Sequence, residues 1–324
     1  MRMLTRRRIL HTGGGAMAAA WGRDAFALSS ATVQSPVDFP MPAGACDCHV
    51  HVIGDPKRFP MDAGRVYTPP PAPVDRLLHM HNELNLRRVV LVQPSFYGFD
   101  NSALLNAMKQ LGRRARGVAV VGEQATDSTL EAMKNAGVRG LRINLETAGE
   151  FDPAVAAKKL EIAIAQCQPR HWHIQLYTRP SVIVALADTL AKSPVPLVFD
   201  HFAGAQAADG LSQPGFDTAL ALVRSGKAYV KISAPYRASK KAPAFDDIGP
   251  FAAALVTANP DRVLWGSDWP HTDSTRVPGR LPTDETPFLS IDDGGILNQL
   301  PLWVPDAVAR QKILTANPAR LYGF

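Results

Sequence analysis

Two histidines one residue apart, and an aspartate far downstream, are the residues of this chain best suited to chemistry. They stand in Cys46-Asp47-Cys48-His49-Val50-His51 and in Gly266-Ser267-Asp268-Trp269-Pro270-His271. At the end of an extended apolar run side chains alternate with period two, so His49 and His51 share a face. Paired imidazoles opposite a strand-end carboxylate can hold a metal. They can also polarise a carbonyl by direct hydrogen bonding. Both are parts of a hydrolytic site. His-x-His alone is a common spelling; its weight here comes from standing on the first strand of a series that ends with Asp268.

The elements that must position these residues are legible as alternating runs. Strand candidates are Cys46–Val52, Val89–Gln93, Val118–Val121, Gly140–Asn144, His173–Leu176, Leu197–Asp200, Tyr229–Ile232 and Val263–Trp265. Helical patterns fall between them at Val74–Glu83, Ser102–Leu111, Ser128–Asn135, Pro153–Ala165, Pro180–Leu190, Gly215–Val223 and Phe245–Ala258, with Asp306–Thr315 after the last strand. Eight apolar strands separated by helices predict a single-domain (β/α)8 barrel. The alternative, a doubly wound open sheet, usually shows a Gly-rich first turn, which is absent. Two long loops, Gly54–Pro73 and His271–Leu297, read as lids or binding loops.

Function in a barrel gathers at the C-terminal ends of the strands. Read in order, those ends carry His49 and His51, Ser95, Arg142 and Asn144, Tyr177, Asp200-His201, Ser233 with Tyr236 and Arg237, and Asp268. Each has a plainer reading. Ser95 suits a turn, Tyr177 a core edge, and Arg237 a solvated basic loop with Lys240 and Lys241. Arg142 is harder to dismiss. It interrupts Leu141-Arg142-Ile143-Asn144-Leu145, and burying it unpaired would be costly, so it must face the barrel mouth or an acid. His79 and His81 repeat the His-x-His spelling on a helix, where residues two apart do not face each other. They read as surface or packing histidines. His171 and His173 lie at the start of the fifth strand, away from the site, and read the same way.

Composition narrows the function classes. The 324 residues are 46% hydrophobic and 20% charged, enough for one large domain with an ample core. The formal charge is +6 and the pI about 9.3, yet the first 27 residues hold Arg2, Arg6, Arg7, Arg8 and Arg23 against Asp24 alone. They account for +4 of the +6, and no basic block follows, so nucleic-acid binding is not expected. Thr5-Arg6-Arg7-Arg8-Ile9-Leu10, a Gly/Ala-rich stretch and Ala25-Phe26-Ala27 form a twin-arginine export signal over residues 1–27. The stretch is too short and glycine-rich to span a bilayer. A Ser/Pro-rich linker at 28–44 and a barrel over 45–324 complete the organisation, with the periplasm as the expected location. Cys46 and Cys48, two apart on one strand, have parallel side-chain vectors unsuited to a disulfide.

From about residue 44 onward the chain resembles the amidohydrolase-related branch of the metal-dependent TIM-barrel hydrolases, in the group of the 2-pyrone-4,6-dicarboxylate lactonases and the 4-sulfomuconolactone hydrolases. The resemblance rests on Cys46-Asp47-Cys48-His49-Val50-His51-Val52-Ile53-Gly54, Arg58-Phe59-Pro60, Tyr67-Thr68-Pro69-Pro70-Pro71, Val92-Gln93-Pro94-Ser95, Asp100-Asn101 and Val138-Arg139-Gly140-Leu141-Arg142-Ile143-Asn144. It continues through Asp200-His201-Phe202-Ala203-Gly204, the Asp268 motif, and Asn317-Pro318-Ala319-Arg320-Leu321-Tyr322. It implies a catalytic core of His49, His51, His201 and Asp268. It also implies that Ser95, Arg142, Tyr177, Arg237 and Tyr67 hold a ring and its acidic substituents. One departure is that Leu145-Glu146-Thr147-Ala148-Gly149 lacks the further arginine of the dicarboxylate lactonases.

The expected activity is therefore hydrolysis of the ring ester of a small anionic lactone, carboxylated or sulfonated, with Asp268 as base. Arg142 and Asn144 stand where a bridging ligand would be needed, so a binuclear centre is not expected. His49, His51, His201 and Asp268 suffice for one divalent ion, zinc by donor type, and the alternative is polarisation without metal. On metal the resemblance points both ways: the dicarboxylate lactonases look metal-independent and the sulfomuconolactone hydrolases zinc-containing. A lactone isomerase, a metal-dependent decarboxylase and an exported solute-binding protein are the competing readings.

Overall fold

The computed structural model describes residues 35–324. The export motif, the Ala25-Phe26-Ala27 site and the first part of the linker lie outside the described residues. Among the described residues eight parallel strands follow one another around a barrel in chain order. They are β1 (Cys46–Val50), β2 (Arg88–Val92), β3 (Ala115–Ala119), β4 (Val138–Asn144), β5 (His173–Tyr177), β6 (Leu197–Phe199), β7 (Ala228–Ser233) and β8 (Val263–Gly266). The first helices are α1 (Val74–Glu83), α2 (Ser102–Leu111), α3 (Asp127–Asn135) and α4 (Pro153–Cys167). This is the (β/α)8 barrel that the alternating runs predict.

The seam between β8 and β1 closes at the C-terminal rim. The Asp268 N–H donates to the His49 carbonyl at 2.9 Å, and the His51 N–H to the Trp269 carbonyl at 2.8 Å. Gly266 makes that approach possible, because a Cβ there would stand 2.8 Å from the His49 Cβ and 2.9 Å from its nitrogen. Asp47, on the helix-facing side of β1, fastens the seam from outside. Its Oδ1 accepts from the N–H groups of His49 (3.1 Å) and Ser267 (3.0 Å). His81 of α1 packs on the same carboxylate at 3.4 Å, while His79 is exposed beside Glu83.

Strict alternation along 46–51 would put the cysteines and the histidines on opposite faces. The β1–β2 register shifts between Asp47 and Val50, and such an irregularity turns the strand. Cys46 and Cys48 therefore join an apolar plug inside the barrel with Val90, Val118, Tyr229, Leu264 and Tyr322. His49 and His51 face inward above it. The plug keeps water out from below, and an apolar layer of helix residues such as Leu77, Leu160, Phe216 and Leu255 seals the outside.

Some boundaries differ from expectation. β3 begins at Ala115, upstream of Val118–Val121, because Arg116 and Gly117 interrupt its apolar run. The segment Pro180–Leu190 breaks at Leu186 into α5 (Pro180–Ala185) and α6 (Ala187–Ala191). Further on lie α7 (Pro214–Arg224), α8 (Pro235–Ala238), α9 (Gly249–Ala258), α10 (Asp293–Leu297) and α11 (Leu300–Trp303). Asp306–Thr315 becomes α12 (Ala307–Gln311), a wide turn and α13 (Asn317–Tyr322). Ser35 and Asp38 hydrogen-bond Asp292 and Asn298. The two long loops cross the mouth together: the Thr286 N–H donates to the Thr68 carbonyl at 2.7 Å, and the Tyr67 hydroxyl to Thr272 at 3.3 Å. No helix among the described residues is long and apolar enough to cross a membrane.

Candidate active site

The recess at the C-terminal mouth is lined by His51, Tyr67, Ser95, Arg142, Tyr177, His201, Arg237 and Asp268. These are strand-end residues singled out from the sequence, joined by Tyr67 of the first long loop, which the resemblance implies. His49 lies one layer below and is fully buried. A wider cleft of about 310 Å³ adjoins the recess and shares Tyr177, His201 and Arg237 with it. At its edge Glu146 pairs with Arg179 at 3.4 Å, in the loop region that lacks the further arginine. Asp268 and His201 each follow a strand in left-handed backbone, φ 66° and 48°. Non-glycine residues hold that conformation at a cost of order 1–3 kcal/mol, so local sequence does not favour it and the packed barrel must impose it.

Asp268 has two unlike oxygens. Oδ2 accepts from Arg237 Nε at 2.8 Å and from the Tyr236 hydroxyl at 2.8 Å. The basic-loop reading of Arg237 therefore gives way to an ion pair. Oδ1 has no hydrogen-bond partner among the described residues. It faces Nε2 of His51 at 3.4 Å, His49 at 3.5 Å and His201 at 3.8 Å. Burial would raise the Asp268 carboxyl, but the charge of Arg237 and the facing imidazoles of His201 and His51 hold it well below the usual carboxylate range. Burial brings His201 down to about 4, against the opposing pull of Asp268. At neutral pH the site thus holds an ionised acid beside the neutral imidazoles of His49 and His201.

The rings are fixed from behind. His51 Nδ1 lies 2.8 Å from the Val92 carbonyl and donates there. His201 Nδ1 lies 2.9 Å from Ser233 Oγ. Arg142 donates to Asp200 Oδ2 and to the Gln93 carbonyl, both at 3.3 Å. Its buried Nε has no partner among the described residues, a spare donor beside the recess.

Beneath this layer lies one that the strand-end reading missed. Lys231 and Gln175 are wholly buried, and Lys231 Nζ donates to Gln175 Oε1 at 2.7 Å. Gln175 Nε2 donates to Asp200 Oδ2 at 3.0 Å. The signal was available: Gln175 and Lys231 interrupt apolar strands as Arg142 does, each two residues before a mouth residue, Tyr177 and Ser233. Tyr236 also bridges Asp268 to His271, whose Nδ1 is 3.1 Å from the hydroxyl and whose Nε2 is 3.1 Å from Asp293.

Three of the site's donors, His49, His201 and Asp268, have the spacing that suits a small divalent ion. Bonds of about 2.0–2.1 Å in a tetrahedron put ligand atoms roughly 3.3 Å apart, close to the three Nε2–Oδ1 distances. Ligand atoms of His49, His201 and Asp268 all lie within 4.8 Å of one another, and His49 Nε2 and Asp268 Oδ1 are buried without partners among the described residues.

Comparison with known proteins matches this architecture. The chain is 34% identical over 294 residues to a 4-sulfomuconolactone hydrolase of Rhizobium radiobacter, covering 89% of this chain and 93% of that one. It is 34% identical over 298 residues to a 2-pyrone-4,6-dicarboxylate hydrolase of Comamonas testosteroni, covering 89% and 93%. Among solved structures, a probable 2-pyrone-4,6-dicarboxylic acid hydrolase from Acinetobacter baumannii with citric acid bound superposes with a TM-score of 0.73 at 27% identity, over 87% of this chain and all of that one. The sequence model of the amidohydrolase family matches residues 46–324. The chain is a hydrolase that belongs to the amidohydrolase family.

Proposed function

We propose that this enzyme hydrolyses the ring ester of a small anionic lactone, carboxylated or sulfonated, with Asp268 Oδ1 as the base. The observation that carries the reading is the asymmetry of Asp268. One oxygen is saturated by Arg237 and Tyr236, and the other is ionised, unpartnered and aimed at three imidazole nitrogens. A carboxylate so held orients a water and takes its proton. The water oxygen bonds to the lactone carbonyl carbon, the ring C–O bond breaks, and the proton passes from Asp268 to the departing oxygen. The new carboxylic acid then ionises in solution. Imidazole N–H groups facing the carbonyl oxygen stabilise the charge that develops there.

Arg142 and Arg237 give the recess its preference for anions, since guanidinium geometry matches carboxylate and sulfonate oxygens. Ser95, Tyr67 and Tyr177 close around the ring, and the adjoining cleft gives its body room. The relatives whose names print such substrates support this class. The set His49, His51, His201 and Asp268 would hold one divalent ion, zinc by donor chemistry. When bound, zinc supplies Lewis-acid polarisation of the carbonyl. We further place this activity in the periplasm, on the strength of the twin-arginine motif.

The test is a panel of carboxylated, sulfonated and neutral lactones followed in a pH-stat, with metal content measured on the same protein. Base uptake equal to substrate consumed, confined to the anionic members, is the expected result. Consumption without acid release would indicate isomerisation, and tight binding without consumption a solute-binding protein. Either would overturn the reading.

A further inference from the structure

The wall of the wider cleft carries two buried polar atoms that the proposed hydrolysis does not use. They belong to the residues on either side of Tyr177, which the cleft shares with the recess. On one side is Glu146. Its N–H and that of Leu145 donate to the Tyr177 carbonyl at 3.1 and 2.9 Å, which fixes the residue against the end of β5. Glu146 Oε1 accepts from Arg179 Nε at 3.4 Å, long for a bond between charged groups, which ordinarily runs about 2.7–2.9 Å. Oε2 is equally far from that nitrogen; it is buried and makes no hydrogen bond among the described residues. On the other side is Thr178, only 5% exposed. Its hydroxyl has no partner among the described residues either.

The guanidiniums of this wall are already engaged. Arg179 pairs with Glu146 and lies on the Phe151 ring, 3.6 Å from its centroid. Arg237 belongs to Asp268 and the recess. What the wall offers a ligand is therefore a carboxylate oxygen and a hydroxyl. A carboxylate only accepts, while a hydroxyl both donates and accepts. A ligand hydroxyl can donate to Glu146 Oε2 or accept from Thr178 Oγ1. A ligand carboxylate can meet Thr178 alone and sets its charge against Glu146, a repulsive element of the kind that gives specificity. A purely apolar arm would leave both buried atoms unpaired, which is also unfavourable. We propose that Glu146 and Thr178 form a second subsite, which takes an uncharged, hydroxyl-bearing arm of the substrate and rejects a second acid group there. The substrate is then a lactone with a single anionic group, held beside Arg142 in the recess, and its arm passes Tyr177 into the cleft. Glu146 stands in the segment Leu145-Glu146-Thr147-Ala148-Gly149 that lacks the further arginine, so this segment presents a negative side chain and not a positive one.

The place of the single anion rests on the proposed function; the discrimination at the arm does not. The test uses the full chain and three γ-lactones that carry one carboxylate on the ring and differ only in an arm on the same carbon: hydroxyethyl, propyl or carboxymethyl. Affinity is read by calorimetry, or as kcat/KM where a lactone is consumed, and acid release is followed separately in a pH-stat. The wild type should favour the hydroxyethyl arm over propyl by roughly tenfold, the scale of one hydrogen bond to a charged group, and over carboxymethyl by more. Glu146→Gln removes the negative charge and releases Arg179, so the carboxymethyl lactone should gain at least tenfold, and adding Arg179→Met should take that gain away. Thr178→Val keeps the shape and loses the hydroxyl, and should cut the preference for hydroxyethyl over propyl at least threefold. Equal affinity for the three arms, no binding of any of them, or a carboxymethyl penalty unchanged in folded Glu146→Gln would overturn the subsite, even if other lactones are hydrolysed. The expected ranking without acid release would uphold the subsite and overturn the hydrolysis. If Thr178→Val does not fold, the rankings of the wild type and Glu146→Gln decide.

Discussion

Replacing Gly266 with alanine probes the barrel seam and the site in one step. The added Cβ would stand 2.8 Å from the His49 Cβ and 2.9 Å from its backbone nitrogen. Carbon atoms in contact prefer about 3.5 Å or more, so β1 and β8 must part by roughly 0.7 Å. No side-chain rotation relieves the clash, because the neighbour is backbone fastened by the hydrogen bonds of Asp47 and Asp268. Overpacking of this kind costs about 1–3 kcal/mol. For a domain of this size that is a fall in Tm of roughly 2–5 °C. The same displacement separates His49 Nε2 from Asp268 Oδ1, now 3.5 Å apart. A misplacement approaching 1 Å costs of order 10–100-fold in kcat. Gly122→Ala is the control, since its Cβ would meet only Phe99 at 3.6 Å, an ordinary contact. Calorimetry gives Tm, and initial rates on the accepted lactone give kcat and KM. If Gly266→Ala matches the wild type in both Tm and kcat, the seam does not hold the site as described. A loss of Tm with kcat intact would show that the seam matters to stability but not to the position of His49.

Arg142→Met should weaken an anionic lactone at least tenfold in kcat/KM and its neutral ester by much less; equal losses would remove the anion-binding role. Burial brings His173 down to about 3, so the unfolded chain takes up this proton first. Its stabilising effect is complete above the unfolded value of about 6.5 and is lost as pH falls from there towards 3. Urea unfolding at pH 7.5 and pH 5 should give a smaller ΔG at pH 5, with a shallower slope in His173→Gln; an identical slope in the variant would exclude this residue as the cause. Arg6→Lys with Arg7→Lys should leave the protein uncleaved in the cytoplasm, read by fractionation and mass spectrometry. Wild-type protein found in the cytosol with Met1 attached would refute the export proposal.

The eight strands were legible because each carries an apolar run bounded by turn residues, and Asp268 and His49 were placed by standing at the ends of the last and first runs. What the alternation rule could not convey is the register shift in β1, which brings Cys48 and His49 to the same interior. Register is a property of the strand pair. The left-handed backbone of His201 and Asp268 is likewise imposed by packing. Lys231 and Gln175 escaped for a different reason. They interrupt apolar strands as Arg142 does, but below the strand ends, where their partners Asp200 and His49 come from other strands and no local pattern names them. Tyr236 was legible only as a residue just beyond β7 and His271 only as the end of the Asp268 motif; their meeting at Asp268 is set by the fold, through α8 and the loop after β8.

The central claim, water attack on a lactone carbonyl with Asp268 as base, is tested most directly by turnover in H₂¹⁸O. Mass spectrometry of the product should show one ¹⁸O, in the newly formed carboxylate, and a total gain of one water. Folded Asp268→Asn should form that product at least roughly 100-fold more slowly. Product without ¹⁸O, or near-wild-type turnover by Asp268→Asn, would contradict the account.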